Sequence, residues 1–167
     1  MTLQDAVMMF DYIYWARDRV LGIVDTLDQE AFTRDMKNST GSIHETLVHM
    51  FGSERLWSTR WKGESPKGRE RPEDYPTAAA VRARWSETER DIRQILGAMK
   101  SGDEQRLVQY TTLEGAPVAY PWWQTAMQVT NHSSYHRGQV ITMLRQQGVA
   151  ATGTDLIMYF KIKNAGA

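Results

Sequence analysis

Residues 131–148 read NHSSYHRGQVITMLRQQG and carry two of the chain's four histidines, His132 and His136, one helical turn apart. With His132 at zero on a helical wheel, His136 falls at about 40°, Met143 at about 20°, Val140 at about 80° and Val129 at about 60°. The two imidazoles share a face with apolar side chains, so that face should look inward. Inward histidines four residues apart can aim at one metal ion, as side chains from facing helices do in bundle sites. The pair alone is also compatible with two polar residues hydrogen-bonding their neighbours; a third ligand decides between the readings. His44 and His49 are the candidates, both in SIHETLVHMFGSERLW, residues 42–57. His49 lies near the middle depth of its helix, whereas His44 sits about 12 Å of helix rise from the middle. Depth favours His49, and the wheel is indecisive because His49 flanks the apolar stripe. His44 reads as a solvated first-turn residue.

The elements that must position these side chains are helical. Ala6, Met9, Ile13, Ala16, Val20, Ile23 and Leu27 step by three and four, one buried stripe, with Thr2 and Asp5 placed to cap its start. Ser42 and Glu45 form a capping-box pattern that opens a second helix running to about residue 61. A third begins near Thr77 with Val81, Trp85, Thr88, Ile92, Ile95 and Met99 as its stripe. Between them, the fifteen residues 62–76, KGESPKGRERPEDYP, are long for a bundle connection and permit a crossover. RLVQYTTLEGAPVAY, residues 106–120, reads as a short β-hairpin about Glu114-Gly115. The last long helix follows, with Pro121 in its first turn and Gly148 as its stop, and TDLIMYFKIK predicts one more short helix. The expected fold is an all-α four-helix bundle with a hairpin before its last long helix, one domain over residues 1–167.

Composition narrows the function classes. The 167 residues can bury about 70% of their unfolded surface without a covalent staple. With no cysteine, disulfides, thiolate metal sites and cysteine nucleophiles are excluded, and any thiol in the chemistry must arrive on a substrate. Twenty basic residues balance twenty acidic ones, so no global field favours nucleic acid or an anionic membrane. No apolar run approaches the ~20 residues needed to span a bilayer, and no basic, signal-like start is present; a cytoplasmic protein is expected.

The segment HSSYHRGQ resembles the C-terminal motif of the DinB superfamily, in which two histidines come from an HxxxHRGQ helix. TLVHMFGSERLW, residues 46–57, resembles that family's second-helix motif, and MFDYIYWARDRVL and TDLIMYF resemble its segments near either end. The resemblance implies an up-down-down-up bundle, a metal held by His49, His132 and His136, zinc or nickel as that metal, and pairing as a homodimer. A surplus of tryptophan over the needs of a bundle core would agree with such pairing.

Three neutral imidazoles with no fourth protein ligand leave an open position, the arrangement of catalytic sites. The superfamily includes transferases that use bacillithiol, mycothiol or glutathione, so the resemblance implies a thiol S-transferase-type metalloenzyme with a low-molecular-weight thiol as cosubstrate and a small-molecule substrate. A hydrolase using metal-bound hydroxide is the alternative, with Glu54 as its candidate base or else an ordinary surface carboxylate. A non-enzymatic stress-response protein with a structural metal is the third reading. Gln139, at about 340° on the wheel, can face the site; Arg137, at about 140°, makes a helix or subunit contact instead. Asp155 is a candidate acceptor for an imidazole N–H.

Overall fold

Three of the four long helices start where a short polar side chain can take up free N–H groups. Thr2 accepts from the Asp5 N–H while Asp5 returns a bond to the Thr2 N–H, opening α1 (Leu3–Val24). Ser42 and Glu45 repeat the device at α3 (Ile43–Trp61), and Thr77 caps α4 (Ala78–Ala98). Pro121, just ahead of α5 (Trp122–Gln146), has no N–H to satisfy there, and Gly148 ends the helix at φ +76°. The hairpin pairs β1 (Leu107–Thr111) antiparallel with β2 (Pro117–Pro121), Leu107 facing Pro121 across the ladder. The short α6 is Leu156–Ala165. Sequence periodicity had not resolved α2 (Gln29–Thr33), whose five residues, capped by Asp28, are too few to show a period. These elements belong to a computed structural model that describes residues 1–165.

Side-chain pairs give the helix directions. Asp25 with Arg82, Arg17 with Glu89 and Asp11 with Arg93 run α1 antiparallel to α4. Trp85 on Glu54 and Lys62 on Asp91 run α4 parallel to α3. The Trp61 indole on Thr125 and His49 beside His132 run α3 antiparallel to α5. The order is therefore up-down-down-up, and the long 62–76 connection is the crossover that parallel neighbours require.

Two packed clusters fill the interior. Phe10, Ile13, Trp61, Trp122 and Val129 lie in one; Val20, Leu47, Phe51, Trp85, Val140 and Leu144 lie in the other. Each large side chain buried there contributes about 1.5–3 kcal/mol. Trp57, Trp61, Trp85 and Trp122 are buried, and Trp15 and Trp123 pack against the core. Four of the six tryptophans are thus core residues, while Trp15 and Trp123 keep part of their surface exposed. The α1 stripe is also wider than its spacing predicted, taking in Phe10, Tyr14, Arg17 and Leu21, because α1 has α4 on one side and α5 on the other. Among the described residues no helix is long and apolar enough to cross a membrane.

Glu54 lies inside this packing. Five residues beyond His49 it has turned about 140° around α3, and its carboxyl accepts the Trp85 indole N–H at 2.8 Å. Burial pushes its pKa up to about 7 from 4.5, against the opposing pull of that N–H and of Arg17. The folded chain thus holds this proton more tightly than the unfolded chain. Its contribution to stability is fully present below pH 4.5 and is lost as pH rises through about 7. Glu54→Gln keeps an acceptor for Trp85 and removes the ionisation. Wild type should lose stability relative to this variant by on the order of 3 kcal/mol between pH 4.5 and pH 8, measured by urea unfolding at each pH. Parallel pH profiles for the two proteins would contradict this placement of the carboxyl.

Candidate metal centre

The seam between antiparallel α3 and α5 brings three imidazoles to one point. His49 comes from the middle of α3 and His132 and His136 from successive turns of α5. The His49 Nε2 lies 2.9 Å from the His132 Nε2 and 3.1 Å from the His136 Nε2. Candidate ligand atoms of all three fall within 4.8 Å of one another, and no carboxylate joins the group among the described residues. His136 is buried and the other two are half-buried.

These distances test whether a cation fits. An imidazole nitrogen has one in-plane direction, carrying either a proton or a lone pair, so hydrogen bonding from His49 serves one neighbour well and not two. A shared ion about 2.0–2.1 Å from each nitrogen at tetrahedral angles sets nitrogens about 3.3 Å apart, and smaller angles bring them closer. The two spacings from His49 match such a set, and three imidazoles whose ligand atoms all lie within 4.8 Å of one another could hold a divalent ion.

The protonation states agree. Burial, then the charges of His136 and Arg69, lowers the His49 pKa to about 4. Burial, then His136, His49 and Arg69, lowers that of His132 to about 3. Both rings are therefore neutral at pH 7, the form that binds metal. The His136 Nδ1–H donates to the Gln139 Oε1 at 2.7 Å, which turns its Nε2 lone pair toward the other two rings. Gln139 also reaches Ser39 Oγ at 3.4 Å, tying α5 to the segment before α3.

Other residues lie elsewhere than the sequence predicted. His44 is not solvated: it is buried against Phe32 of α2, ring centroids 5.0 Å apart, with its Nε2 2.8 Å from the Tyr75 carbonyl. That contact belongs to a loop 31 residues away, which no local pattern reveals. Glu54 is neither beside the imidazoles nor on the surface, but in the α3–α4 interior. Asp155 is exposed before α6, and the imidazole acceptor at the site is Gln139 instead. Arg137, by contrast, makes the expected helix contact, to Tyr12 OH of α1 at 2.5 Å, and reaches Thr154 Oγ1 at 3.2 Å.

His49 also borders a cavity of about 250 Å³ walled by Ser53 and Leu56 of α3 and by Arg69 and Glu70 of the 62–76 connection. Sequence reading passed over these. Positions 53 and 56 are recoverable in principle, since they follow His49 by one and two helical turns; Arg69 is not, because only the folded connection brings it there.

The DinB family model matches residues 2–165. The chain is 23% identical over 164 residues to Protein DinB of Bacillus subtilis strain 168, covering 92% of each. Its fold resembles the crystal structure of a DinB-like protein from Bacillus cereus ATCC 10987, with a TM-score of 0.68 at 16% identity over 91% of this chain and 97% of that one. By a family match that spans nearly its whole length, this chain belongs to the DinB family.

Proposed function

We propose that this protein is a divalent-metal-dependent enzyme of the thiol S-transferase type, with His49, His132 and His136 as the metal ligands. The observation that carries the reading is the convergence of three imidazoles, with the His49 Nε2 at 2.9 and 3.1 Å from the other two and His49 itself bordering a cavity. Zinc and nickel both suit an all-imidazole set. When bound, such an ion supplies Lewis acidity that favours the deprotonated form of a thiol at neutral pH.

The chain's own residues do the rest. Gln139 orients His136; burial keeps His49 and His132 deprotonated; Ser53 and Leu56 bound the space a substrate enters. With no cysteine in the chain, a thiol used here is the substrate's. Its proton leaves to solvent, its sulfur lone pair forms a bond to an electrophilic carbon, and the leaving group departs with the bonding pair.

The alternatives have less support. A hydrolase would want a free carboxylate base, but Glu54 faces α4, Glu45 caps α3, and Glu70 is held by Arg55 and Tyr75. A purely structural metal would call for a fourth protein ligand, and the cluster offers three.

Elemental analysis of untagged protein should give one divalent ion per chain. His136→Ala should abolish stoichiometric binding, Gln139→Ala should weaken it by about 10–100-fold, and His44→Ala should leave it intact. Equal losses from His136→Ala and His44→Ala would refute the ligand set. In cobalt-loaded protein, glutathione, bacillithiol or mycothiol should raise a sulfur-to-metal charge-transfer band saturating at one thiol per site. A protein that binds cobalt but gives no band with any of them is not an S-transferase of this kind.

A further inference from the structure

The connection between α3 and α4 is pinned against the metal side of α3. A Cβ on Gly52 would meet Glu70 Cβ and Cγ at 3.3 Å, so a glycine lets the chain lie close on the helix one turn from His49. The Glu70 carboxylate takes Arg55 and the Tyr75 hydroxyl. The Tyr75 ring stands edge-on to Phe51 with centroids 4.9 Å apart, and Arg71 pairs with Asp74 at 2.7 Å. Residues 70–75 thus form a fixed wall, and Arg69 directly precedes it.

Arg69 lines the same cavity as His49. Among the described residues its guanidinium makes no salt bridge and no side-chain hydrogen bond, whereas neighbouring Arg55, Lys62 and Arg71 are all paired. The two carboxylates on the cavity wall are committed, Glu45 to Ser42 and Glu70 to Arg55 and Tyr75. A second cation lies outside this cavity. Arg60 is buried over the rings of Trp57 and Tyr110, at 4.8 and 4.0 Å, with its Nε unpartnered. The charge of Arg69 reaches Arg60, His49 and His132, and Glu114 at the hairpin tip is the carboxylate that feels both arginines. Arg69 pairs with neither wall carboxylate among the described residues, so an anion entering the cavity meets an unpaired guanidinium.

We propose that Arg69 is a substrate-binding residue, taking up a carboxylate on the small molecule whose reacting end lies at the three histidines. Two parallel N–H donors of a guanidinium match the two oxygens of a carboxylate. The cavity, about 250 Å³, is below the roughly 300–1,000 Å³ of sites for drug-sized ligands, so the acid is short. This assignment rests on the metal-site reading for the position of the reacting end, though not for the anion contact itself.

The test compares 3-mercaptopropionate with 2-mercaptoethanol on cobalt-loaded protein, reading the sulfur-to-metal band. The acid should bind at least about tenfold tighter than the alcohol. Arg69→Ala should bring its affinity down to that of the alcohol without changing cobalt stoichiometry, and Arg69→Lys should keep part of the preference. No preference in wild type, or the same preference in Arg69→Ala, overturns the proposal. If cobalt is not taken up or no band forms, the metal or thiol reading has failed, and the anion contact is tested on the metal-free protein. Propionate should then shift the Arg69 Nε–H signal in a nitrogen–proton NMR spectrum, identified by its absence in Arg69→Lys; an unmoved signal overturns the assignment.

Discussion

Three imidazoles meeting in a half-buried seam, with the His49 Nε2 at 2.9 and 3.1 Å from the other two, are the constraint on which the rest of this structure turns. Rings crowded this closely cannot all satisfy one another, and burial prevents His49 and His132 from relieving the crowding by protonation. The arrangement persists because α3 and α5 are fixed against each other elsewhere. Trp61 donates to Thr125 at 2.8 Å within one core cluster, and Leu47, Phe51, Val140 and Leu144 pack in the other. Packing on both sides of the seam thus holds ligands in place that would otherwise move apart, as a metal site built on rigid elements needs.

The same logic explains the crossover. Parallel α3 and α4 leave α5 free to return antiparallel beside α3, so that residues 49 and 132, far apart in sequence, meet at mid-depth. The long connection this demands becomes a wall of the cavity at His49, anchored where Gly52 admits Glu70. One topological choice therefore sets both the three-histidine cluster and the arginine beside it.

How much of this the sequence disclosed follows from the range of each interaction. Thr2 with Asp5 and Ser42 with Glu45 act within one turn, so both helix starts were legible, as was the shared face of His132 and His136. Gln139 was legible for the same reason, lying one turn beyond His136. His49 was favoured by depth but left open by the wheel, because its partners lie 83 and 87 residues away. His44 was misplaced because its exposure depends on Phe32 and Tyr75, neither on its helix. Glu54 looks like a surface carboxylate until Trp85 covers it, and Arg69 looks like any loop arginine until the connection is laid down. Local chemistry was readable; what depends on tertiary docking was not.

The central claim is an open site made by three imidazoles and no other protein ligand. X-ray absorption at the zinc edge of the reconstituted protein tests it most directly, because multiple scattering from imidazole rings counts them. Three imidazoles and at least one light, exchangeable ligand, with His49→Ala leaving two imidazoles, is the predicted result. Four protein ligands, or a count unchanged by His49→Ala, would contradict the site described for this fold.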